Sequence, residues 1–215
     1  MNILIAPNAF KHSLDAETAA AAITEGLFLS PLDCTCECFP IGDGGDGTGD
    51  LIVKRCKGEF ITTTVHDPLG KKISASFGLI DNGATAVIEM AAASGICLLS
   101  TAELNPLQAS SVGTGELIKH ALDLGVKKLI ISMGGSATVD GGAGILQSLG
   151  VQFRGPKQPA HLPENLRFLE EVDLSGLDPR ISACEIMILC DVENTLLGAS
   201  GAAAVFGPQK GASKE

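Results

Sequence analysis

The chain has 215 residues, 45% of them apolar and 19% charged, with a formal net charge of −10. That length can bury a sizeable core, as one large domain or two modest ones. The acidic balance, the lack of a basic stripe and the absence of Trp and Tyr argue against a nucleic-acid partner, which needs cationic and stacking surfaces.

The chain opens with NILIAP, which reads as a buried strand from its β-branched apolar run. That run is shorter than the roughly 7–15 apolar residues of a signal peptide, and no later stretch approaches the roughly 18 of a membrane span. No membrane partner and a cytoplasmic location are therefore expected. The loop NAFKHS follows and carries Lys11. Ligands of open α/β sheets bind at such strand ends, so Lys11 either contacts a phosphate or carboxylate or is an ordinary exposed lysine. Ser13 or Asp15 can cap the helix AETAAAAITEGL, which Gly26 or Ser30–Pro31 would end. CTCECFPI is the second strand and places Cys34, Cys36 and Cys38 on one face. No second ligand pair accompanies them, which favours core thiols over a zinc site.

The loop IGDGGDGTGD follows, with Asp43, Gly44, Gly45, Asp46 and Asp50. A calcium nonapeptide would need aspartate where Gly49 stands, and the EF-hand spacing is absent. A glycine loop between strand and helix can instead offer N–H groups to an anion. Asp43 and Asp46 would face substrate or magnesium-bound phosphate, and Asp50 would cap the helix LIVKRCK.

Two β-rich runs then flank HDPLGKK, a hairpin signature. TAVIEM is a further strand. GTGELIKHALDLG is amphipathic, with Leu117, Ile118, Ala121, Leu122 and Leu124 near one face. VKKLIISMGG is a strand, SATVDGG a loop, AGILQSLG a helix, RGPKQPAHLPEN a surface excursion and CEIMILCDV the last strong strand. The repeated strand–loop–helix order predicts an α/β fold with mainly parallel strands. The hairpin interrupts it and suggests a second, mixed α/β domain from residue 61.

MGGSATVDGGAG is the second glycine loop. Gly134 and Gly135 permit close backbone approach, and Ser136 and Thr138 supply hydroxyls. Asp140 can hold magnesium or take a proton from a substrate hydroxyl, or it can simply cap the helix at Ala143. Neither glycine loop carries the Walker or dinucleotide pattern, which sets a nicotinamide oxidoreductase aside, and no nucleophile elbow is present.

Taken together, IAPNAFKHSLDA, FPIGDGGDGTGD, DPLG, IEMAAASGI, SSVGTGELI, MGGSATVDGGAG, DLSGLDPR, CDVENTLLG and FGPQKGAS resemble, in order, the bacterial ATP-dependent glycerate kinase family. The resemblance implies magnesium-assisted phosphoryl transfer from ATP to D-glycerate, giving 2- or 3-phosphoglycerate. It implies two α/β domains with the site in the cleft between them. Residues 1–60 would begin a Rossmann-like domain, and 61–215 would form the inserted mixed α/β domain. By the same resemblance Asp140, Asp191 and Lys11 are catalytic, and Asp140 and Asp191 bind the metal. Asp43, Gly44, Gly45, Asp46, Gly134, Gly135, Ser136, Thr138 and Lys210 handle substrate and phosphate. Asn8, Asp46 and Val139 stand where the family usually has Asp, Glu and Asn, and Glu193 and Thr195 also depart from its pattern. Family members continue past FGPQKGAS, so the Rossmann-like part is expected to be incomplete, with open sheet edges that favour self-association. The alternative function is a member without turnover, serving as a binding module or completed by another chain.

Overall fold

A computed structural model describes residues 1–10, 13–156 and 162–213. The first unit is β1 (Asn2–Ile5), α1 (Ala16–Phe28) and β2 (Thr35–Cys38), in which β1 and β2 pair in parallel from Asn2–Thr35 to Ile5–Cys38. Asp15 caps α1 by accepting the Thr18 N–H at 2.7 Å, one of the two caps expected. Gly26 lies inside the helix, which runs on to Phe28. This two-stranded sheet is thinly covered: Leu4 is 63% exposed. The seven cysteines are free thiols, with Cys34 and Cys36 only half-buried and Cys38 exposed, so the CTCEC strand is less buried than its apolar character suggests.

Next come α2 (Thr48–Arg55), the hairpin β3 (Glu59–His66) and β4 (Lys72–Ile80), β5 (Thr85–Glu89), α3 (Ala91–Ser94), α4 (Val112–Asp123), β6 (Lys128–Ser132) and α5 (Ala143–Ser148). Short elements follow: β7 (Gln152–Arg154), α6 (Leu162–Asn165), β8 (Glu171–Asp173) and α7 (Pro179–Ser182). The last are β9 (Glu185–Leu189) and α8 (Ala202–Phe206). The hairpin turn forms because Asp67 accepts the Leu69 and Lys71 N–H groups, each at 2.8 Å, the local bonding that makes aspartate a turn residue. The small pair β7–β8 was not legible in the sequence; three-residue strands carry too little periodicity to announce themselves.

The central sheet has the order β3-β4-β5-β6-β9. Its first three strands are antiparallel and β5, β6 and β9 run parallel, giving a mixed α/β architecture. One face packs on α4: Leu117, Ile118, Ala121 and Leu122 meet Phe77, Ile88 and Leu129. On the opposite face Val53 of α2 packs with Ile80 and Val87. Burial of these side chains is the main favourable term for the fold. Leu124, expected on the buried stripe, is 54% exposed because it is the C-cap residue, where the chain leaves the helix. Asp50 is likewise not the cap of α2. Gly47 is, with a φ of 86°, and Asp50 sits in the first helical turn, where its charge still faces the positive end of the helix. Strand β9 lies at the sheet edge with Ile186, Met187 and Ile188 exposed. No helix among the described residues is long and apolar enough to cross a membrane.

Candidate active site

Strands β5, β6 and β9 end in register, with Glu89 beside Ser132 and Ser132 beside Leu189. The carboxyl ends of parallel strands are where α/β folds bind ligands. The ladder continues one step, since Met90 N–H donates to Ser132 O at 2.9 Å and Met133 N–H to Leu189 O at 3.2 Å. Beyond that step the backbone leaves the sheet as the glycine loop after β6.

The two glycine loops meet here. Gly134 N–H donates to Gly44 O at 2.9 Å. A side chain at Gly134 would run into the Gly45 backbone and come within 2.8 Å of Gly44 O. At Gly135 the backbone has a φ of +70°, and any Cβ would collide with the Asp46 carboxylate. The close approach that these glycines permit is therefore first an approach of one loop to the other. The seam so formed brings together Gly44, Gly45, Asp46, Gly134, Gly135 and Ser136.

Asp43 stands at one end of the seam. It accepts Gly45 N–H at 2.9 Å and the Asn8 side-chain amide at 2.7 Å. Asn8, the neutral residue after the first strand, thus supplies a donor to an acid that a second carboxylate would repel. Asp191 follows β9 and is exposed. Lys11 lies outside the described residues.

Asp140 is 3% exposed. Its Oδ2 accepts Ser111 N–H at 2.9 Å, Ser111 Oγ–H at 2.8 Å and Gly144 N–H at 3.2 Å. Its Oδ1 accepts Gly142 N–H at 3.1 Å. The carboxylate therefore sits where the amino-terminal ends of α4 and α5 converge, and both helix dipoles favour its charge. The helix-capping reading of Asp140 is what these hydrogen bonds display. Among the described residues no group of three or more His, Cys, Asp or Glu side chains is disposed to hold a metal.

Lys210 is 7% exposed. Its ammonium donates to Ser136 Oγ at 2.8 Å and to Thr138 O at 2.7 Å. Burial pushes its pKa below the ordinary lysine value, and the nearby Asp140 charge opposes that shift. Thr138 itself is buried, so of the two hydroxyls expected at the site only Ser136 is partly open. Lys210→Met should cost only about 1 kcal/mol in urea titrations, because losing two charge-assisted hydrogen bonds is offset by no longer burying an ammonium.

Two residues of this region escaped sequence reasoning. Glu89 closes β5, is partly buried and accepts Gly49 N–H at 2.6 Å. Ser111 joins Asp140 to the Ile145 N–H, which donates to its Oγ at 3.1 Å. Both lie inside motifs of the family resemblance, Glu89 in IEMAAASGI and Ser111 in SSVGTGELI, but nothing along the chain marks their partners.

A model of the glycerate kinase family matches residues 3–215. The chain is 46% identical over 217 residues to a Haemophilus influenzae protein named glycerate kinase, covering 100% of this chain and 57% of that one. It is 44% identical over 216 residues to glycerate 2-kinase of Escherichia coli, with the same coverage. Among solved structures, that of a Salmonella typhimurium LT2 protein assigned as glycerate kinase 2 aligns with a TM-score of 0.85 and 46% identity, covering 100% of this chain and 58% of that one. The chain thus spans a little over half the length of these relatives.

Proposed function

The chain belongs to the glycerate kinase family, and from that premise we propose that it carries the substrate-handling face of an ATP-dependent kinase that phosphorylates a hydroxyl of D-glycerate. The observation that carries this reading is the meeting of two glycine loops at the carboxyl ends of β5, β6 and β9. Phosphoryl transfer asks a protein mainly for positioning and charge neutralisation, and such a seam gathers acids and the Ser136 hydroxyl at the strand ends. In this reading Asp43, Asp46, Ser136 and Asp191 face the substrates. Asp140 and Lys210 act from beneath, holding the loop that bears Ser136. Magnesium would accompany the ATP phosphates and neutralise their charge, as hard cations do with few protein ligands.

A coupled ADP-release assay on the 215-residue chain tests this. ADP release is expected only when ATP, magnesium and D-glycerate are all present, and ³¹P NMR of the product identifies the hydroxyl. The exposed Ile186, Met187 and Ile188 on the open β9 edge favour a second reading, in which turnover needs a further polypeptide laid against that edge. It predicts no ADP release from this chain alone and release when the remaining portion of a relative is added as a separate chain. Silence in both assays would sink the kinase reading for this chain.

A further inference from the structure

The bond between Glu89 and Gly49 joins the sheet to the glycine loops. Gly49 lies in the first turn of α2, and the Glu89 carboxylate takes its N–H at 2.6 Å. The fit is close: a Cβ on Gly49 would stand 2.7 Å from Glu89 Cγ. One residue earlier, Thr48 Oγ accepts Gly44 N–H at 3.1 Å, and Gly44 O in turn accepts Gly134 N–H at 2.9 Å. A continuous path therefore runs from the end of β5, through the start of α2, to the loop bearing Ser136. We propose that Glu89 is the positioning residue of this site: by accepting Gly49 N–H it fixes the first turn of α2 and, with it, the seam where the glycine loops meet. The inference rests on the reading of that seam as the substrate-handling face.

The charges around Glu89 support a role beyond packing. Burial pushes its carboxyl above the ordinary glutamate value, and the charges of Asp50 and Asp46 push it the same way against the Gly49 N–H. Cys97 also faces this cluster, its thiol raised by burial and by the charges of Asp46 and Glu89. An ionised Glu89 is thus held against its surroundings. The sign follows: between pH 4.5 and its raised folded pKa the folded chain binds more protons than the unfolded one, so its contribution to stability falls as pH rises through that window.

Amide hydrogen exchange on the intact 215-residue chain tests the assignment without any need for turnover. Glu89→Ala is expected to speed exchange about tenfold in residues 42–50 and 134–138 relative to the α4 core, the scale of losing a hydrogen bond to a charged acceptor. Glu89→Gln keeps the acceptor and should restore protection, while flattening the stability change above pH 4.5. If Glu89→Ala fails to fold, Gly49→Ala disturbs the same contact from the other side and should expose the same two segments. Unchanged exchange in both alanine variants, or a Gln variant as exposed as the Ala variant, overturns the proposal. The ADP assay fails or succeeds independently of this readout, so the positioning role and the kinase reading fall separately.

Discussion

Asp140→Ala is expected to destabilise the chain by about 3–5 kcal/mol, the range for stripping one partner from a buried, hydrogen-bonded charge network. The loss has three sources. The N–H groups of Ser111, Gly142 and Gly144 and the Ser111 hydroxyl lose their shared acceptor. The converging ends of α4 and α5 keep their positive dipoles without the anion between them. The buried Lys210 loses the charge that opposes its desolvation. For a chain of this size a loss of that order lowers the melting temperature by about 10 °C or more, which differential scanning calorimetry reads directly. Asp140→Asn should cost less, because one oxygen can still face Ser111 and Gly144 while only the Gly142 donor meets an amide NH₂. The outcome separates two roles. A carboxylate kept for chemistry alone is often neutral or stabilising to remove, so an unchanged melting temperature in Asp140→Ala would defeat the structural role assigned to it.

Gly134→Ala is expected to have the largest effect on the site itself. The added methyl meets backbone at Gly45 and Gly44 O, not the end of a side chain that could swing away. Relief therefore requires the loops to part, breaking the Gly134–Gly44 hydrogen bond. Overpacking of this kind costs about 2–3 kcal/mol, and its expected signature is local: faster amide exchange in residues 42–47 and 134–138, with the α4–sheet core still protected. If the kinase reading holds, D-glycerate-dependent ADP release falls with it. Normal protection of both loops in the Ala variant would mean that the seam is looser than the geometry indicates.

Acid should weaken the chain through a different set of groups. Glu103 is held at about 2 by Lys71 and the Ser100 donors, and Asp178 at about 2 by Arg180. Both folded values lie below the unfolded ones, so their stabilisation is complete above about pH 4.5 and is lost as pH falls toward 2. Glu103 and Asp178 are both half-buried at the surface, where solvent still screens their ion pairs, so the effect per group is small.

Much of the fold was legible in advance, for identifiable reasons. The period-two runs around HDPLGKK announced the hairpin, and the 3.6-residue spacing of Leu117, Ile118, Ala121 and Leu122 announced α4 with its buried face. The glycine clusters marked both loops because only backbone that must turn or be approached closely is written so densely. The ordered motifs carried the family. All of this is local information, held within windows of a dozen residues.

Where each acid sits was decided only by packing. Asp140 reads as a catalytic group or a cap, and its capping bonds come in part from Ser111, 29 residues away in sequence, whose N–H and hydroxyl both donate to the carboxylate. Glu89 passed as the last residue of a strand until α2 brought Gly49 to it across 40 positions. The glycines of both loops seemed to make room for a ligand, yet Gly134 and Gly45 make room for each other. The sequence by itself determined the elements, the loops and the family. The tertiary structure alone decided which carboxylates are buried among hydrogen-bond donors and which stay exposed, because burial and hydrogen-bond partnership belong to the elements that pack around a residue, not to its neighbours along the chain.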